Sequence, residues 1–305
     1  MSALVDSKSE EAGIIRRNFA LALPHGFGLG LPPLSFLLLF FVLPVILLFF
    51  VSFLTARSFV IEYAWNIDNY TRIFGSTSFW LATWVGLKNG FYTALFSILL
   101  SFPVAYYLVY KTRSNLILYL VLLSWFSSYL VRVYAWRTIL GTNGVINSFL
   151  IRSGIIDEPL QVILFSPFAS VLTLIHIMVP FSLLILVSAL RDVKQDYLDA
   201  ARDLGASKFA VLTKVILPMA YKGVVGSFMF TYILAAGDYI TPQLLGGREG
   251  VTSGLLIANQ FRSAGNWPLG SAMAFVMMST FVGVYVALTL LLRLLKLAPG
   301  QRYHE

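Results

Sequence analysis

The apolar positions of this chain fall into six long runs divided by shorter polar stretches. About 20 apolar residues cross a bilayer as a helix. By that measure the runs predict spans at Pro33–Leu54, Trp84–Tyr110, Leu116–Leu140, Pro167–Leu190, Val215–Ile240 and Leu269–Leu295. Pro44, Pro103, Pro180 and Pro218 lie in or at the ends of these runs, where a missing backbone donor predicts kinks. The pattern divides the chain into an N-terminal extension over 1–31, a six-helix transmembrane domain over 32–298 and a tail over 299–305. The extension mixes Asp6, Glu10 and Glu11 with Lys8, Arg16 and Arg17, unlike a cleaved signal. Its end, Gly26-Phe27-Gly28-Leu29-Gly30, lacks the Gly-Lys-Ser/Thr ending of a phosphate loop and is expected to be a flexible lead-in.

One polar stretch interrupts this alternation. Asp196 to Pro218 reads DYLDAARDLGASKFAVLTKVILP. Asp196 is expected to cap a helix, with Asp199 near the positive end of its dipole. Tyr197, Leu198, Ala201 and Leu204 recur at helical spacing and predict one apolar stripe. Gly205 is placed to end the helix in the left-handed conformation. Such a helix, held between two spans, is either a connector lying on lipid headgroups or a docking element.

Composition fixes the setting. Of 305 residues, 58% are hydrophobic and 12% charged, with a mean hydropathy of +0.80, which describes an integral membrane protein. The chain has no cysteine, which excludes disulfides and thiolate metal sites. A net charge of +8 invites a nucleic-acid reading, but its distribution argues against one. Arg57, Arg72, Arg152, Arg248 and Arg262 fall on one side of the predicted membrane, Lys88, Arg132 and Arg137 in or near spans, and the other fourteen basic residues on the opposite side. Basic loops face the cytoplasm, so both termini and the Asp196–Pro218 loop are expected there.

Charges inside spans need a partner or a polar cavity and mark functional candidates. Asp238, near the outer end of the fifth span, has the sign to attract a cationic solute; the structural alternatives are a salt bridge to Arg132 or Arg137, or a helix-terminal carboxylate in water. The two arginines, five residues apart, point to different faces, and one of them is expected to snorkel, as is Lys88. Tyr106, Tyr107, Trp125, Tyr129, Tyr134 and Trp136 have the chemistry of a cation–π box, although packing and interface roles are the commoner fate. His176 has no second metal ligand in view and reads as a satisfied core histidine. No paired carboxylates, nucleophile triad or Walker motif is visible, so catalysis by this chain is not expected.

The loop carries a longer pattern. Asp199-Ala200-Ala201, three residues, Gly205, nine residues, then Val215-Ile216-Leu217-Pro218 resembles the EAA loop of ABC importer permeases, with Asp199 where the family usually has Glu and Val215 where it usually has Ile. Leu130 to Trp136 with Gly144 to Asn147, and Gly237 to Gly247, resemble the spermidine/putrescine-type branch, which includes permeases for opines and other small solutes. The resemblance implies an all-α, six-helix type I ABC importer permease fold in the bacterial inner membrane. It also implies a second permease subunit, with the long N-terminus looking like the first of a heterodimeric pair. Two cytoplasmic ATPase subunits that hold ATP and Mg, and a periplasmic solute-binding protein, complete the implied assembly. Asp199, Ala200, Ala201, Gly205, Leu217 and Pro218 would couple to the ATPase; Asp238, Tyr239, Arg132, Tyr134 and Trp136 would border the substrate path. The rival reading is a stand-alone ion-coupled transporter or channel, which predicts midplane acids and inverted repeats; neither is evident.

Overall fold

The structure, a computed structural model, describes residues 27–57, 59–160 and 163–294. It divides between Val51 and Ser52 into two units. The first is the N-terminal apolar segment, α1 (Phe27–Leu37), a π-helical turn (Leu38–Val42) and α2 (Leu43–Val51). The glycine-rich stretch expected to be flexible is therefore helical from Phe27 onward. In lipid a peptide group finds no water, so even glycine is drawn into the helical hydrogen-bond ladder. The rest of the predicted extension and the tail 299–305 lie outside the described residues.

The second unit opens with a small hairpin, β1 (Thr55–Arg57) and β2 (Val60–Glu62), paired antiparallel. The helices α3 (Asp68–Phe74), α4 (Thr77–Tyr110), α5 (Leu116–Trp125), α6 (Tyr129–Leu140), α7 (Val145–Arg152) and α8 (Pro167–Arg191) follow. Next come α9 (Gln195–Asp203), α10 (Lys208–Val211), a second π turn (Leu212–Ile216), α11 (Leu217–Ala236), α12 (Ile240–Leu245), α13 (Ser253–Arg262) and α14 (Trp267–Leu294). Among the described residues five helices are long and apolar enough to span a membrane, and a bent pair, counted as one span, makes six.

The third predicted span is that pair. The chain turns by 91° between Trp125 and Tyr129, where a single helix over Leu116–Leu140 was expected. Serine hydroxyls take backbone carbonyls at the break, Ser124 donating to Val121 O at 2.6 Å and Ser127 to Ser124 O at 2.8 Å, and so compete with the ladder. Pro44 and Pro218 are absorbed by the π turns: Leu43 N–H reaches Leu38 O and Leu217 N–H reaches Leu212 O, which rebonds the segment each proline would have orphaned. Pro103 and Pro180 lie inside unbroken α4 and α8. The second span starts earlier than predicted because Ser76 caps α4, accepting from Phe79 N–H at 3.2 Å.

Helices α4, α8 and α11 form the centre, and small residues let them approach. A Cβ built on Gly90 would sit 2.7 Å from Ala236 Cβ and 2.9 Å from Tyr232 O, and one on Gly223 would collide with Ala189 Cβ. Ser182 and Ser227 join α8 to α11 at 3.0 Å. Asn69, part of a glycosylation-like sequence, is committed inward: its amide donates to Ser52 O and Leu54 O at 2.9 and 2.8 Å.

Candidate functional site: the polar insert and the helix breaks

The polar insert folds as two short helices closing one end of the bundle. Its first helix, α9, begins one residue before Asp196, with Lys194 at the cap position and no side-chain cap bond, so Asp196 is a first-turn residue and not the expected cap. Buried Val193 anchors the corner before the helix, and its carbonyl accepts from Tyr110 Oη, which also donates to Leu190 O at 2.9 Å. The predicted stripe is divided. Leu198 is fully buried and Ala201 half-buried against Leu186, Leu190, Val211 and Ile216, whereas Tyr197 is exposed and Leu204 is 90% exposed.

Gly205 performs the predicted role, with φ +83°. Ala206 N–H donates to Ala201 O at 3.0 Å and Gly205 N–H to Arg202 O at 2.8 Å, the paired bonds of a Schellman cap. Asp199 accepts from Arg202 Nη1 at 2.7 Å and Gln195 Nε2 at 3.0 Å, and Ala200 is exposed on the outer face. Leu217 and Pro218 open α11 just beyond the π turn. A cleft of about 510 Å³ runs along Leu204, Gly205, Ala206, Ser207, Ala210 and Lys214. Leu204 in the lining of the cleft, and Phe209 on α10, 73% exposed, leave large apolar groups in the open. The insert is therefore bolted inward by Leu198 and presents an apolar-edged cleft outward.

The second cluster lies where two helices are interrupted. Asp238 follows the end of α11 at Ala236, four residues before the predicted end of that span; Gly237 takes the cap position. Its carboxylate accepts from Tyr129 Oη at 2.7 Å and from Thr241 N–H at 2.9 Å, which fixes the first turn of α12. Tyr129 Oη and Thr241 Oγ1 lie 2.8 Å apart, and Thr252 Oγ1 donates to Asp238 O at 3.2 Å. Tyr129 is the first residue after the 91° break, so one hydrogen bond ties the break in the third span to the break in the fifth.

Neither arginine forms the alternative ion pair with Asp238; among the described residues the ion pairs are Arg57–Glu62 and Asp199–Arg202. The phenol and peptide donors occupy two of the carboxylate's acceptor positions and leave its charge without a counter-ion among the described residues. Arg132 and Arg137 do face different ways. Arg132 is buried, with Nε and Nη1 lacking hydrogen-bond partners, and Arg137 lies exposed over the Phe165 ring at 5.9 Å. Trp136 Nε1 donates to His176 Nδ1 at 3.1 Å, so the histidine is satisfied, although on an exposed face and not in the core. Tyr134 is exposed and Tyr239 half-buried at the start of α12.

The six aromatics do not form one box. Trp125 packs on Phe181 at 4.7 Å, Tyr129 joins Asp238, Trp136 joins His176, and Tyr106 packs on Tyr110 at the far end of α4. Tyr129, Thr241 and Asn147 are the residues whose roles sequence reading missed. Asn147 is buried and staples the loops that flank α7, donating to Gly141 O and Leu160 O and accepting from Leu160 N–H. Its place in the Gly144-to-Asn147 run was the available signal.

In the second unit a capped helical insert lies at one end of the packed helices, and two interrupted helices are joined at the other. Residues 19–297 match the family described as the binding-protein-dependent transport system inner membrane component, and the chain belongs to it. It is the inner-membrane, multi-pass permease subunit of an ABC importer, which sets aside the ion-coupled carrier or channel. It is 32% identical over 257 residues to the spermidine/putrescine transport system permease protein PotB of Haemophilus influenzae, covering 82% of this chain and 89% of the relative. The PotB of Escherichia coli K12 is 32% identical over 243 residues, 78% of this chain and 87% of the relative. Among solved structures, a bacterial ABC transporter that imports the acidic polysaccharide alginate has a similar fold, with a TM-score of 0.66 at 17% identity over 93% of this chain and 98% of that one.

Proposed function

We propose that this permease carries a polyamine or a related cationic solute from periplasm to cytoplasm. It would act beside a second permease subunit, above two ATPase subunits that hold ATP and Mg, and beneath a periplasmic solute-binding protein. The termini and the α9–α10 insert face the cytoplasm, following the excess of basic residues on that side. ATP-driven closure of the ATPases pushes on Asp199, Ala200, Ala201 and Gly205. The rigid link through Leu198 and the Leu217-Pro218 start of α11 transmits the movement to the breaks at Tyr129 and Asp238. Relatives that transport spermidine and putrescine, and the fit of the insert to the coupling role, support this reading.

The observation that carries the substrate class is Asp238, a half-buried carboxylate that accepts two hydrogen bonds yet has no cationic side chain paired with it among the described residues. An ammonium arriving along the face of Trp136, Tyr134 and Tyr239 would supply the missing charge. Uptake of labelled spermidine by proteoliposomes holding the whole assembly tests it. Asp238→Asn keeps the shape and loses the charge, and is expected to cut uptake at least tenfold with the protein still inserted. Unchanged uptake would refute the assignment.

A second reading has its own observation. The unpartnered Nε and Nη1 of Arg132, one helical turn from Tyr129, suit a carboxylate, so a zwitterionic solute such as an opine would use both charges. Competition by such a solute but not by spermidine separates the two.

A further inference from the structure

Lys88 was expected to do no more than snorkel, yet it stands between two apolar crevices. One, of about 440 Å³, lies among α4, α11 and α14 and is lined by Trp84, Phe91, Phe228, Tyr232 and Leu288 with Lys88. The other, of about 610 Å³, lies between α4 and α8 and is lined by Phe96, Leu99, Phe168, Val171 and Ile175, again with Lys88. Both volumes lie within the range of small-molecule sites, roughly 300–1,000 Å³. Asn89 lines the second crevice; it is 4% exposed, and its Nδ2 has no hydrogen-bond partner. A buried amide donor in an apolar wall is costly unless something accepts from it. Lys88 Nζ sits 6.0 Å from the Trp84 ring and has no acidic partner among the described residues.

Depth identifies the occupant. The far end of α4, at Tyr110, is bonded to the corner that leads into α9 and so marks the membrane surface on the coupling-loop side. From Tyr110 back to Lys88 the helix rises roughly 33 Å at about 1.5 Å per residue. The hydrocarbon core is about 30 Å thick. Lys88 therefore stands at the phosphate level of the opposite leaflet, with Trp84 where aromatic belts lie.

We propose that Lys88 and Asn89 form a binding site for one anionic phospholipid of that leaflet. The phosphate meets the Lys88 ammonium, a glycerol ester carbonyl accepts from Asn89 Nδ2, and the two acyl chains descend on either side of α4. Because α4 is the helix against which α8 and α11 pack, the bound lipid clamps the wall of the bundle from outside. The proposal is independent of the transported solute.

The test uses the intact assembly in nanodiscs of phosphatidylcholine doped with a phosphatidylglycerol brominated on its acyl chains. The Trp84→Phe difference isolates Trp84 fluorescence. Bromolipid at a few mole per cent is expected to quench Trp84 at least fivefold more efficiently as phosphatidylglycerol than as phosphatidylcholine. Lys88→Gln should abolish that preference, and added inorganic phosphate should not compete. Asn89→Leu, which removes the orphaned amide and keeps an apolar packing surface, should lower lipid retention in native mass spectra without loss of assembly. Equal quenching by the two lipids, an unchanged preference in Lys88→Gln, displacement by free phosphate, or no quenching because protein covers the crevices would each overturn the proposal.

Discussion

Gly205 offers the sharpest perturbation of the α9–α10 insert. A Cβ there meets no heavy atom within 4 Å, so this chain gives no steric reason for glycine. The requirement is conformational: φ is +83°, and the two hydrogen bonds that close α9 depend on it. An L-residue in the left-handed region costs about 1–2 kcal/mol. Since about 1.4 kcal/mol is a factor of ten, Gly205→Ala should lower the equilibrium constant for closing the cap by roughly 5- to 30-fold. Asparagine tolerates this region better and a β-branched residue worse. Solute uptake by the reconstituted assembly should therefore rank wild type, Gly205→Asn, Gly205→Ala, Gly205→Val, with valine nearly inactive. Thermal unfolding of the bundle should move little, because nothing inside it contacts the new side chain. Asparagine and valine failing equally would show that size in a docked groove, and not backbone conformation, sets the need for glycine. Wild-type uptake by Gly205→Val would refute the coupling role of the cap altogether.

Leu204→Glu places a charge at a position already 90% exposed, so stability should stay within about 0.5 kcal/mol while co-purification of the ATPase subunits is lost. Gly90→Leu should destabilise the bundle by about 1–3 kcal/mol, read as a lower Tm in detergent, because even a methyl group there lies 2.7 Å from Ala236 Cβ. Tyr129→Phe removes the phenol donor to Asp238 and, for a hydrogen bond to a charged group, should cost about 1.5–3 kcal/mol, seen as at least a tenfold loss of uptake with normal membrane insertion.

Spans and insert were legible because their signals are local. Apolar length marks the helices, and the left-handed glycine and the apolar spacing mark α9. The misplacements have local causes as well. A seryl break at Ser124 to Ser128 carries no hydropathy signature, so the third span read as one helix. Asp238 read as part of a span because Tyr239 and Ile240 continue the apolar run, although its carboxylate is bonded to Thr241 N–H in the next helix. The Tyr129–Asp238 bond joins residues 109 apart in sequence, and no spacing rule reaches that far. Periodicity placed Tyr197 and Leu204 on one stripe with Leu198, but only tertiary packing decides which of them is covered.

If the α9–α10 insert couples ATP hydrolysis in partner subunits to solute passage through this chain, ATP hydrolysis by the reconstituted assembly should respond to solute-loaded binding protein. Stimulation by the loaded binding protein is expected, and is expected to be lost in Gly205→Val and Ala201→Phe while all subunits remain attached. Stimulation that survives both substitutions, or solute flux that follows an ion gradient with no ATPase bound, would contradict that coupling.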